Sequence, residues 1–133
     1  MQGYSPEHAL MLAQLESIAR LSEADRAILA SLPLRMKDIA ENRDVVREGD
    51  HPTESCLVVS GMVARYKMVA GGRRQILSFH FPGDLPDLQS LNLDVMDHSI
   101  VALVRTRVAF IPHDAIRRAI ASHAGVRDAI VRH

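Results

Sequence analysis

The sequence predicts a mainly β domain with flanking helices, built as an antiparallel barrel or jelly roll. Residues 1–33 and residues 113–133 carry apolar side chains at helical spacing. Between them, residues 34–112 form a series of short β-type runs separated by Gly, Asp, Pro and Asn. Strands flanked by helices are typical of a β-barrel or sandwich. We therefore expect one domain over residues 1–133, with N-terminal helices, a β-barrel and C-terminal helices in that order.

The composition fits one globular domain and excludes several classes of protein. Of the 133 residues, 47% are hydrophobic, which is enough for one core. The 16 basic and 16 acidic residues give a formal net charge of zero, so the chain has no excess positive charge for nucleic-acid phosphates. No window reaches the roughly 18 apolar residues of a membrane helix. We expect a cytoplasmic protein that contacts neither DNA nor a membrane directly.

Two helices are predicted before Pro33. Ser5 is a favourable N-cap for the first helix, and Pro6 suits its first position. Ser22 opens "SEAD", in which an acid follows three residues later as in a capping box. The apolar faces are Leu10, Leu12, Leu15, Ile18 and Leu21 in the first helix and Ala27, Ile28 and Leu32 in the second.

The strand region contains one clear hairpin and ends in a second helical segment. In residues 62–81, two alternating runs flank Gly71-Gly72, a favourable hairpin turn. Residues 99–112 predict one or two further strands that end at Pro112, for roughly seven in all. After Pro112, two short helices are predicted, with "SHAG" between them.

Cysteine and histidine usage disfavours redox and metal chemistry. Cys56 is the one cysteine, which excludes a disulfide or a four-cysteine cluster, and its apolar surroundings favour a core position. The 7 histidines include no His-X-His pair, so His80 and His98 are weak candidates for metal or haem ligation. No motif of a hydrolase triad or phosphate loop is present. We expect no enzyme and no metal, with a cupin-type metal-binding protein as an alternative.

Residues 45–84, "VVREGDHPTESCLVVSGMVARYKMVAGGRRQILSFHFPGD", resemble the effector-binding part of the Crp/Fnr family of transcription regulators and the wider cyclic-nucleotide-binding domain family. The resemblance covers about residues 20–133. It implies a double-stranded β-helix, which is a cupin-like jelly-roll barrel, followed by a long helix that pairs two protomers and by a winged helix-turn-helix. This chain ends before such a module, so DNA contact would belong to a domain that it lacks.

The resemblance also implies that the last helix is the start of a dimerisation helix, truncated at the end of the sequence. Its candidate dimer residues are Val126, Ala129 and Ile130. A homodimer of the full-length protein is the expected assembly. The alternative is that both C-terminal helices pack only on their own chain.

In cyclic-nucleotide binders of this family, Gly-Glu follows the Gly-Asp pair, and Arg followed by Ser, Thr or Ala comes about ten residues later. The carboxylate accepts the ribose 2′-hydroxyl, and the guanidinium holds the cyclic phosphate. Counting from Gly83-Asp84, the first pair falls on Asp87-Leu88. The second pair falls on His98-Ser99.

Only Ser99 matches that pattern. Leu88 cannot accept a hydroxyl proton, neutral His98 cannot form the guanidinium fork, and Asp87 adds negative charge. No Arg lies between Arg74 and Arg105, and each lost charge-assisted contact removes about 1.5–3 kcal/mol. We therefore expect a pocket with an unknown effector, for which a cyclic nucleotide is disfavoured. The candidate pocket residues are Gly83, Asp84, Asp87, Leu88, Gln89, His98 and Ser99.

Several alternatives stay open for this segment. Backbone N–H groups and Ser99 could still hold cyclic AMP or cyclic GMP, or the domain could lack a ligand and serve only dimerisation. Asp87, after Pro86, could instead stabilise the N-terminus of a short helix. His98 could be a residue of the barrel rim.

Overall fold

The computed structural model describes residues 3–133 and confirms a mainly β fold with flanking helices. The helices are α1 (Pro6–Glu16), α2 (Glu23–Ala30), α3 (His113–Ser122) and α4 (Ala124–Arg132). The strands are β1 (Arg35–Ile39), β2 (Asp44–Val46), β3 (Glu54–Ser60), β4 (Val63–Val69), β5 (Arg73–His80), β6 (Ser99–Ala102) and β7 (Thr106–Pro112). Short 3-10 helices lie at Ala70–Gly72 and Leu88–Asn92. None of the helices in residues 3–133 is long and apolar enough to cross a membrane.

The strands form two antiparallel sheets. One has the order β1-β7-β3 and the other the order β2-β6-β4-β5. The predicted hairpin joins β4 to β5, and Gly71 and Gly72 take positive φ angles of 84° and 74° at its turn. Glycine adopts these angles without steric cost, so the Gly-Gly pair determines where the hairpin reverses.

The apolar core between the sheets positions the strands. Cys56 and Val58 of β3 and Phe110 of β7 pack in one cluster with Val63 of β4 and Ile100 of β6. Each fully buried aliphatic side chain of this kind contributes roughly 1.5–3 kcal/mol. Cys56 is fully buried, which confirms its predicted core position.

A second core lies on the outer face of the three-stranded sheet, beneath the helices. Leu57 and Ala109 alternate with the inward-facing residues of their strands and pack against α1, α2 and α3. The predicted capping box of α2 is present, since Ser22 Oγ accepts from the Asp25 N–H and Asp25 Oδ2 accepts from the Ser22 N–H, both at 3.0 Å. The N-terminal helices are thus integral to the domain.

Helix α4 packs against its own chain. Val126 and Ala129 are fully buried in the helix core, and Ile130 packs against it. For Val126 and Ala129 this differs from the expectation that they face a second protomer, because a side chain buried in its own core is not available to a partner. Ile130 is partly buried, and its expected dimer contact stays a prediction. A Cβ atom at Gly125 would overlap the carboxylate of Asp25, so glycine permits this close approach of α4 to α2.

Candidate functional site

A cavity of about 550 Å³ lies between the β4–β5 hairpin, residues 85–92 and the last turn of α4. Its volume is in the range of small-molecule sites. The hairpin contributes Arg65 and His80, and α4 with the residue after it contributes Ile130, Val131 and His133. The intervening segment contributes Leu85, Pro86, Leu88, Gln89, Leu91 and Asn92.

Arg65 is a cation that the sequence interpretation did not include in the site. It pairs across the sheet with Ile100 on β6 and with Ser78 on β5, so it lies on the face that Ile100 presents to the core between the sheets. Its Nε atom is buried without a hydrogen-bond partner. No ion pair involving Arg65 occurs among residues 3–133. The guanidinium therefore places an unpaired positive charge at the cavity wall.

Two histidines flank this charge. His80 Nε2 lies 2.8 Å from Ser78 Oγ, and His80 Nδ1 lies 3.5 Å from Asp84 Oδ2. Burial lowers the pKa of His80, an effect that Asp84 partly offsets and the charge of Arg65 reinforces. Burial also lowers the pKa of His133. Near pH 7 both imidazoles are therefore neutral and can each donate one hydrogen bond.

The start of the candidate pocket segment completes the free edge of β3. The Gly83 N–H donates to Val58 O at 2.8 Å, and the Val58 N–H donates to Asp84 O at 3.0 Å. Further along the edge, the Cys56 N–H donates to Asp87 Oδ1 at 2.8 Å. The carboxylate of Asp87 thus takes the place of a carbonyl from a neighbouring strand. These bonds anchor the segment that forms one side of the cavity.

Asp87 is fully buried, and burial raises its pKa to about 6 despite the opposing effect of the Cys56 hydrogen bond. It is the N-cap residue of the 3-10 helix Leu88–Asn92, the position considered from the sequence, although its side chain makes no capping hydrogen bond. Its Oδ2 atom has no partner. Asp87 lines a second cavity of about 210 Å³ beside β1 and β2.

The other residues around this segment have separate positions. Leu88 is buried, packs with the helix core and lines the 550 Å³ cavity, whereas Gln89 is exposed at its wall. Gly83 and Asp84 shape the preceding turn, in which Asp84 Oδ2 accepts from the Phe81 N–H at 2.9 Å. Of these four candidates, the structure brings Leu88 and Gln89 to the cavity wall.

His98 and Ser99 lie outside that wall. His98 is 1% exposed, so it is not the rim residue considered from the sequence. Its Nδ1 donates to Asp97 Oδ1 at 2.7 Å, and its buried Nε2 has no partner. Ser99 Oγ accepts from the Glu48 N–H at 2.8 Å. Its hydroxyl is therefore already engaged within the chain.

A buried polar cluster connects the 3-10 helix Leu88–Asn92 to β3 and α3. His113 Nε2 lies 3.0 Å from Ser55 Oγ and 3.1 Å from Ser90 Oγ. Burial lowers the pKa of His113, which favours the neutral ring that these hydroxyls can share. Nothing in the sequence pattern indicated this cluster, because its members come from three distant elements. Within the described part of the chain, no three His, Cys, Asp or Glu side chains are placed to hold a metal ion.

Comparison with known proteins gives one family match and one curated relative. The sequence profile of the family described as "Cyclic nucleotide-binding domain" matches residues 36–123. The transcriptional activator protein FnrA of Stutzerimonas stutzeri is 26% identical over 96 residues, which make up 72% of this chain. The chain spans 39% of the length of FnrA.

Solved structures share the fold at low sequence identity. The sensor domain of the transcriptional regulator DNR from Pseudomonas aeruginosa has a TM-score of 0.79 at 17% identity, over 93% of this chain and 83% of that one. The regulatory domain of Toxoplasma gondii PKA, solved with cAMP, has a TM-score of 0.72 at 19% identity, over 95% of this chain and 45% of that one.

Proposed function

Because the chain belongs to the cyclic nucleotide-binding domain family, we propose that it is the effector-sensing and dimerisation domain of a Crp/Fnr-like bacterial transcription regulator. In this proposal the cyclic-nucleotide contacts are lost, and DNA is bound by a domain outside this chain. The observation that carries the proposal is the position of Leu88. Its apolar side chain lines the cavity where the resemblance implies a carboxylate.

The cavity suggests how an effector would act on the rest of a regulator. Ile130 and Val131 of α4, with His133 after it, form one wall, so a bound molecule touches the C-terminal helix directly. A ligand shifts a conformational equilibrium only through its different affinity for the two states. An effector in this cavity would therefore favour one position of α4.

Titration calorimetry with cyclic AMP and cyclic GMP tests the proposed loss of cyclic-nucleotide contacts. We expect no binding by the natural chain up to millimolar ligand. The Leu88→Glu variant places the carboxylate of the family pattern at the cavity wall, and such a charge-assisted contact increases affinity roughly tenfold to hundredfold. The matched control is Leu88→Gln, which changes the same buried position without adding charge. Thermal unfolding checks that both variants fold.

The outcomes separate the parts of the proposal. A gain of binding in the charged variant and not in the control supports a family pocket that has lost its nucleotide contacts. Micromolar binding by the natural chain would show that the contacts are not lost and that the domain senses cyclic nucleotides.

A further inference from the structure

We propose that the 550 Å³ cavity binds a small amphipathic anion, a carboxylate or phosphate on an apolar body, with Arg65 as the group that holds the anion. This inference rests on the proposed effector-sensing function and names the chemical class of the effector.

The charge balance of the cavity favours an anion. Arg65 is the one residue with a permanently charged side chain among the eleven that line it, and none of the eleven has an acidic side chain. A partly buried charge without a partner is unfavourable. The charge of Arg65 lowers the pKa of Asp87, but the two side chains form no ion pair. A bound anion would supply the missing counter-charge.

The donors around Arg65 fit the same ligand. The planar guanidinium can form two parallel hydrogen bonds to a carboxylate or phosphate. His133, neutral near pH 7, and the amides of Gln89 and Asn92 line the same cavity and can add donors. Unlike the arginine of the family pattern, which follows the 3-10 helix, this cation comes from a strand of the hairpin.

The remaining wall is apolar, which indicates that the ligand has an apolar body as well as a charged group. Leu85, Leu88 and Leu91 from one side and Ile130 and Val131 from the other can bury a hydrocarbon or aromatic body. A fully hydrophilic anion would leave this surface in contact with water. The site therefore favours an amphipathic molecule over inorganic phosphate.

Three naphthyl compounds of similar size test the inference on the natural chain. The probes are 1-naphthylacetate, 1-naphthyl phosphate and the uncharged 1-naphthylacetamide. Their binding is measured by ¹⁵N NMR of the backbone and of the arginine Nε–H groups. We expect at least one anion to bind and to shift the Nε–H signal of Arg65. The comparison of the two anions shows whether carboxylate or phosphate is preferred. We expect the amide to bind at least tenfold more weakly than the better anion.

Variants isolate the role of Arg65. Arg65→Met keeps a long apolar side chain and removes the charge, and we expect it to weaken binding of the better anion at least tenfold. Because it removes an unpaired, partly buried charge, its unfolding temperature should equal or exceed that of the natural chain. Arg73→Met is the matched control, since it removes an exposed charge from the same hairpin outside the cavity.

Equal binding of the amide and the anions, or unchanged binding by Arg65→Met, would overturn the anion site. Cyclic AMP and cyclic GMP titrated in parallel separate this failure from that of the proposed function. If a cyclic nucleotide binds while both naphthyl anions leave the spectrum unchanged, the anion inference is wrong and the effector-sensing function stands. If all four anionic compounds leave the spectrum unchanged, the anion inference is wrong, while the proposed loss of cyclic-nucleotide contacts is supported.

Discussion

At the edge of β3, the Asp87 carboxyl group accepts the hydrogen bond that a carbonyl of a neighbouring strand would otherwise accept. A carboxyl group can accept this bond in either protonation state. The neutral acid is preferred there because burial penalises the charged form, which is why its pKa rises to about 6. The folded chain thus binds this proton more tightly than the unfolded chain does. The resulting stabilisation is complete below pH 3.8, the ordinary value, and is lost as the pH rises through about 6.

Asp87→Asn should therefore change the pH dependence of stability. The amide oxygen can accept the same Cys56 N–H but cannot ionise. We expect the free energy of unfolding of the variant, relative to the natural chain, to rise by about 2–3 kcal/mol between pH 4 and pH 8. Urea denaturation across this range measures the difference. Asp128→Asn, which removes an exposed carboxylate from α4, controls for net charge. A difference that does not vary with pH would contradict the assigned cause.

At the residue scale, the sequence predicted local chemistry better than location. That Leu88 cannot accept a hydroxyl proton follows from its type, and its place in the cavity wall agrees with the inferred register. The burial of His98 was not predictable, because it depends on how β6 meets the rest of the fold. Arg65 was not predicted because the family pattern places its arginine after Gly83. Its signal was a charged residue at an inward-facing position of β4, between Val63 and Lys67 in the alternating pattern.

At the element scale, features determined by neighbouring residues were predicted and those determined by distant ones were not. The capping box at Ser22 and the Gly71-Gly72 turn depend on a few adjacent residues, and both are present. The face on which α4 packs depends on α1 and α2, about a hundred residues earlier in the chain. The apolar stripe of α4 was correct as a stripe, but its partner is its own chain.

The contact between α4 and α2 should be sensitive to a single methyl group. In Gly125→Ala the new Cβ displaces the Asp25 carboxylate and breaks its hydrogen bond to the Ser22 N–H. We expect a loss of about 1–2 kcal/mol in the free energy of unfolding, from the capping bond and imperfect helix packing. Chemical denaturation provides the value.

A double-mutant cycle with Asp25→Ala tests that cause. Without the carboxylate, the alanine at position 125 has room and a better helix propensity than glycine, so its effect should vanish or become stabilising. Equal losses in both backgrounds would mean that the cost of Gly125→Ala arises elsewhere.

For the whole molecule, the spacing of apolar residues, helical at both ends and strand-like between them, was sufficient to predict the fold class. The surface was less predictable, because exposure depends on which strand lies at a sheet edge. Strand β5 is an edge strand, and Leu77 and Phe79 on it are 45% and 55% exposed. Such an edge is a natural surface for association, and it borders the cavity that α4 closes.

If the chain dimerises as proposed, β5 should contribute to the interface. We expect sedimentation velocity to show concentration-dependent self-association that the Leu77→Glu, Phe79→Glu double variant weakens at least tenfold, because charges would be buried against apolar groups. Val104→Glu is the control, since Val104 is 43% exposed in the β6–β7 turn. An equal effect of the control variant, or a chain that stays monomeric at every concentration, would argue against this surface.

The imidazole of His113 also gives the protein an internal spectroscopic reporter. It touches hydroxyl groups on β3 and on the 3-10 helix while belonging to α3 itself, so its ring resonances depend on the relative positions of three elements. Any molecule that moves the 3-10 helix would change the magnetic environment of this ring. Ligand screens on this domain can therefore follow one histidine signal without attaching a fluorophore or a spin label.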